Sequence, residues 1–122
     1  MSAFKARNAL PLTFLLLSLQ SAFAAPMRMV ESYPGAQAVL DGRNAQYSVR
    51  FDALVDHRAS RLYITRGSQM VEELKPLLAA APQVLYASAP ALPPGDYQLH
   101  WAARSMADGS VTEGSIPFSV RR

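Results

Sequence analysis

Residues 92–114, LPPGDYQLHWAARSMADGSVTEG, constrain the fold more than any other stretch of the chain. A Pro/Gly turn opens the stretch and strict alternation follows. Tyr97, Leu99, Trp101 and Ala103 face one way, and Gln98, His100, Ala102 and Arg104 the other. Period two with a large aromatic payload on one face predicts a central strand half-buried against a core. Residues 105–110 are short, polar and glycine-bearing, so the chain turns there. Trp101 is the sole tryptophan and the expected centre of the core.

The rest of the chain repeats this grammar in shorter pieces. Met27 and Met29 alternate with Arg28 in an expected edge strand ended by Pro34-Gly35, and 37–40 is a short extended piece closed by Asp41-Gly42. Tyr47, Val49 and Phe51 alternate with Ser48 and Arg50, and Leu62 and Ile64 alternate with Tyr63 and Thr65. Residues 70–81 have helix-favouring composition, but Pro76 breaks a helix interior. A short strand, or an irregular crossing with one helical turn, is expected there. Residues 84–88 read as another strand, and Ile116, Phe118 and Val120 as the last. Pro117 cannot donate to a ladder, so its amide position should face an open edge or a bulge. Short strands with frequent turns predict an all-β, antiparallel β-sandwich of about seven strands. Tyr97, entering a late strand just after a tight turn, is placed to form a tyrosine corner.

Residues 1–24 have a basic start (Lys5, Arg7), an apolar run at 10–19 and Ala22-Phe23-Ala24 before the expected cut. That is the pattern of a cleaved secretory signal peptide, leaving 25–122 as the folded domain. The apolar run is short for a membrane span, and none of spanning length follows. The leader holds two of the twelve basic residues and none of the nine acidic ones, so the processed chain carries a net charge of +1. The basic pI therefore gives no support to nucleic-acid binding. Cysteine is absent, which removes disulfides and thiolate metal sites and leaves packing to hold the fold.

Several spacings agree with one known pattern. Ser32-Tyr33-Pro34 lies at a set distance from the expected cleavage, and the strand Tyr47–Phe51 ends in Phe. The late block supplies Leu92, Gly95, Tyr97, Leu99, Trp101, Ser105, Asp108, Gly114, Phe118 and Val120. Together they resemble the CopC family of periplasmic copper-binding proteins, over nearly the whole processed chain. The resemblance implies an immunoglobulin-like form of the sandwich (a Greek key), a periplasmic address, copper homeostasis or copper resistance as the role, and an inner-membrane copper-handling protein as a partner.

The resemblance also implies a Cu(II) site built from a mature N-terminal histidine and the Asp and His of an Asp-x-His turn. In this chain Ala25 or Pro26 stands at the histidine's place and the turn reads Asp108-Gly109-Ser110, with one extra residue between Ser105 and Asp108. Only Asp108 carries over, and a lone carboxylate is a poor Cu(II) site. The start Ala25-Pro26-Met27 has no third-position histidine, and Pro26 has no amide proton to lose, which closes an amine-plus-amide site.

Methionine sulfur suits Cu(I). Met27 and Met29 share a face of the first strand, and Met106 lies in the Asp108 turn. The three make a candidate Cu(I) cluster, against the plainer reading that Met27 and Met29 fill core. His57, in Asp56-His57-Arg58, reads as a solvated loop residue, and His100 as a residue of the outer sheet face. Nucleophile elbow, phosphate-cradling glycine loop and HExxH are all missing from the sequence, so no enzyme is expected. Two functions follow: weak or methionine-based copper binding with transfer to a membrane partner, or a non-metal periplasmic interaction module that keeps the sandwich without its copper site.

Overall fold

The computed structural model describes residues 26–43 and 46–122. The expected signal peptide and Ala25 lie outside the described residues. Eight strands form two sheets: β1 (Met29–Tyr33), β2 (Ala38–Leu40), β3 (Gln46–Phe51), β4 (Arg61–Arg66), β5 (Gln69–Leu74), β6 (Val84–Ser88), β7 (Gly95–Arg104) and β8 (Val111–Val120). One sheet has the order β1-β3-β6, the other β2-β8-β7-β4-β5. Among the described residues no helix is long and apolar enough to cross a membrane.

Alternation builds each strand. Tyr47, Val49 and Phe51 on β3 and Leu62 and Ile64 on β4 are buried, as are Leu99, Trp101 and Ala103 on β7. The intervening residues are half-buried or exposed, so each sheet has one wet face. Between the sheets, the Phe51 and Trp101 rings meet edge to face with centroids 6.5 Å apart. Phe118 lies 6.0 Å from Tyr47 and 5.7 Å from Tyr97. The tyrosine corner is present: the Tyr97 hydroxyl donates to the Pro93 carbonyl at 2.6 Å.

Trp101 is the pivot of this core. Its Cα pairs with Gly114 of β8, and its indole lies across that glycine. A Cβ at 114 would sit 2.5 Å from Cζ2 and 3.0 Å from Nε1 of the indole. The indole Nε1 is buried and, among the described residues, has no hydrogen-bond partner. Orphaning such a donor costs about 1–3 kcal/mol, so a second, compensating reason must hold the ring in place: its apolar area.

Two expectations need correction. The sheets are not wholly antiparallel, because β2 runs parallel to β8, with Ala38 beside Phe118 and Leu40 beside Val120. The chain leaves the first sheet at Pro34-Gly35 and the extended piece expected at 37–40 joins the second sheet as β2. The first strand starts at Met29, and Met27 lies ahead of it. Of the two forms open to 70–81, the strand is found; β5 ends at Leu74, and Pro76 falls in the turn-bearing loop beyond. Pro117 occupies the position its chemistry requires. Its carbonyl accepts from Gln37 N at 2.8 Å, one residue before the β2–β8 pairing begins, so the ladder asks for no Pro117 N–H on that side.

Replacing Gly114 by alanine should push the indole off its seat and destabilise the domain by about 1–3 kcal/mol. Each kcal/mol should lower Tm by about 4–8 °C for a domain of this size. Thermal unfolding of Gly114→Ala checks this; an unchanged Tm would show that the indole does not depend on that glycine.

Candidate metal centre

β3 and β7 run toward one end of the sandwich, and β1 begins there, since Met29 pairs with Phe51. The N-terminal segment is strapped to that end by hydrogen bonds to its backbone. Arg28 N donates to Asp52 Oδ1 at 2.8 Å, Asp52 N returns a bond to Arg28 O at 2.9 Å, and Thr112 Oγ1 donates to Met27 O at 3.0 Å. The β7–β8 turn is equally fixed. Ser105 N donates to Ser110 O at 2.8 Å and Gly109 N to Ser105 O at 3.0 Å. Gly109 supplies the positive φ of 73° that closes this turn.

These ties bring Met27 and Asp108 to one cavity of about 230 Å³, which Asp52, Ser105 and Ser110 also line. Asp108 is exposed, and its Oδ1 accepts from Ser110 N at 3.0 Å and Ser110 Oγ at 2.8 Å. These bonds, the backbone one foremost, hold its carboxyl below the usual carboxylate value. A depressed carboxylate pKa stabilises the turn at neutral pH, and that contribution is lost as pH falls through the folded-state value.

The other candidates are placed differently. Met27 is 5% exposed and belongs to the core, and Met29 is half-buried against it; the i, i+2 spacing has the packing role it suggested. Met106 is exposed and lines a neighbouring groove with Leu54 and His57, apart from the Met27 cavity. His57 is no solvated loop residue. Its Nε2 lies 2.8 Å from Val84 O and 3.1 Å from Ala81 O, pinning its loop to the start of β6. His100 is on the outer sheet face as expected, but half-buried. Its ring stacks on Tyr63 with centroids 4.7 Å apart and planes 2° from parallel, and its Nε2 is 2.8 Å from Thr65 Oγ1. Burial pushes its pKa below the ordinary histidine value.

Asp52 is the residue that sequence reasoning missed at this cavity. It follows the last residue of β3, and the antiparallel β1–β3 pairing sets it beside the N-terminal segment. The signal was there in the strand ending at Phe51, but only with the register known. The cavity thus offers two carboxylates and a thioether. Among the described residues no three His, Cys, Asp or Glu side chains converge as metal ligands. Carboxylate oxygen suits Cu(II) and thioether sulfur suits Cu(I), but no imidazole lines the cavity to complete a tetragonal Cu(II) site.

Fold and site define a class: a small two-sheet β-sandwich whose N-terminal segment is strapped beside an acidic hairpin turn. The CopC domain matches residues 29–121, and the chain belongs to the CopC family. Among solved structures it is similar to CopC from Methylosinus trichosporium OB3b, with 26% identity and a TM-score of 0.69, over 79% of this chain and 94% of that one. It also resembles PcoC, a methionine-rich copper resistance protein from Escherichia coli, at 21% identity and TM-score 0.60, over 80% of this chain and all of that one. A selenomethionine form of PcoC matches at 19% identity and TM-score 0.59, over 77% and 99% of the two chains. No curated protein sequence matches the chain significantly.

The Asp108 carboxyl should titrate below the ordinary value of about 3.9 when followed by NMR. Ser110→Ala, which removes the hydroxyl donor, should move the midpoint upward; an unmoved midpoint would contradict the bond to Ser110 Oγ.

Proposed function

We propose that this chain is an exported, periplasmic protein of copper homeostasis or resistance that carries copper weakly at the Met27–Asp108 end and passes it to an inner-membrane copper-handling partner. The observation that carries the reading is the shared cavity of Met27 and Asp108, with Asp52, at the strapped N-terminal end of a CopC-family sandwich. Cu(I) is the favoured form, because Met27 brings a soft sulfur and no imidazole faces the cavity. Met29 is half-buried and packs against the same core cluster to which Met27 belongs. Met106 is a thioether of the adjoining groove and stands outside this site. Weak retention suits a carrier, since a cargo held too tightly is not released.

A second reading has its own observation. Both histidines spend a ring nitrogen on bonds inside the protein, His57 on backbone carbonyls and His100 on Thr65. That is what a sandwich kept for its surface, without its copper site, would retain. In this reading the chain is a non-metal periplasmic interaction module.

Titration of the processed chain with Cu(II), then with Cu(I) against a competing chelator, separates the two. The copper reading expects Cu(II) held more weakly than about 1 μM. It also expects Cu(I) retention to fall roughly ten-fold in Met27→Leu with Met29→Leu, a loss of about 1.4 kcal/mol. Sub-micromolar retention of Cu(II) would overturn the ligand assignment. Retention of neither ion would leave the interaction module as the function.

A further inference from the structure

We propose that the loop end of the sandwich docks on an anionic lipid surface, with Leu54, Leu78 and Met106 entering the interface and Arg58 and Lys75 meeting the headgroups. Strand register places the three loops concerned together. β3 and β7 run toward this end, β4 and β8 away from it, and β5 returns to it antiparallel to β4. Loops 52–60, 75–83 and 105–110 therefore all open there. Each contributes at least one large apolar side chain that is more than half exposed: Leu54 52%, Leu77 51% and Leu78 54%, and Met106 59%.

Single exposed apolar residues need no explanation. Three from separate loops lining one groove of about 490 Å³ do. The groove continues past His57, Arg58 and Leu78 into a second of similar volume, lined also by Arg61 and Lys75. Arg61 is paired with Glu73 at 3.2 Å. Arg58 and Lys75 carry no ion pair among the described residues. The carboxylate in the apolar groove, Asp56, is engaged by Arg58 N and Ala59 N of its own loop. Asp52 and Asp108, the other acids of this end, line the separate Met27 cavity.

Charge decides the occupant. Apolar tips with unpaired cations beside them match a bilayer boundary, where leucine and methionine enter the acyl region and long basic side chains reach back to anionic headgroups. Each cation contributes about 1 kcal/mol near an anionic surface, so two of them with three partly exposed apolar groups give weak, reversible docking. This proposal does not rest on the copper reading. If both hold, docking sets the Met27–Asp108 cavity, which opens at the same end, next to the membrane.

The test is cosedimentation of the processed chain with phosphatidylcholine vesicles and with vesicles half phosphatidylglycerol. Binding should be roughly ten-fold greater to the anionic vesicles and should fall with added salt. Leu78→Gln with Met106→Gln, and Arg58→Glu with Lys75→Glu, should each reduce it about five-fold or more. The chain has no cysteine, so a single environment-sensitive dye at Met106→Cys gives a second readout independent of those variants. It should shift to the blue on anionic vesicles. The same dye at Val39→Cys, on exposed β2 at the opposite end, should not. Binding to neither vesicle, equal binding to both, or no dye shift at position 106 overturns the proposal. Copper titration of the same variants should match the parent, so failed docking with copper retained counts against this proposal alone.

Discussion

The seating of the Trp101 indole across Gly114 governs the rest of the molecule. Burying a tryptophan removes roughly 150–250 Å² from water, worth about 4–6 kcal/mol at 25 cal/mol per Å². That outweighs the roughly 1–3 kcal/mol lost by leaving its Nε1 without a partner. The contact joins β7 to β8, the two longest strands, in a register that runs unbroken from Gly95–Val120 to Arg104–Val111. The turn that closes this hairpin carries Asp108. Its position is therefore set by core packing, and the local bonds from Ser110 only orient its carboxylate.

The same economy accounts for the chemistry of the end where the N-terminal segment lies. A metal site needs donors that converge on one point. His57 is committed to the carbonyls of Ala81 and Val84 and holds a loop in place, while His100 is wedged between Tyr63 and Thr65 on the far face of the sheet. What remains near Asp108 is oxygen from Asp52 and sulfur from Met27. Neither imidazole lines that cavity, and of its donors the thioether is the one whose softness suits Cu(I).

Much of the architecture was legible in the chain because period-two burial is a local property. Tyr47 to Phe51, Leu62 to Ile64 and Tyr97 to Ala103 are buried in the alternation their side chains predict. The Tyr97 corner follows from the turn that precedes it. What was not legible depended on where distant segments meet. The parallel pairing of β2 with β8 requires the switch between sheets at Pro34-Gly35, which no periodicity encodes. Asp52 reached the Asp108 cavity through strand register. Met106, a neighbour of Asp108 in sequence, was carried by the turn to the opposite side, into the Leu54 groove. His57 looked solvated because its partners are backbone carbonyls about 25 residues away, which leave no trace in side-chain composition.

The central claim is that no imidazole lines the cavity shared by Met27 and Asp108. Electron spin-echo envelope modulation of Cu(II) added to the processed chain tests it most directly, because the remote nitrogen of a coordinated imidazole gives a distinctive deep modulation. The account predicts that this modulation is absent at all copper loadings up to one equivalent. Imidazole modulation that disappears in His57→Gln or His100→Gln would contradict it.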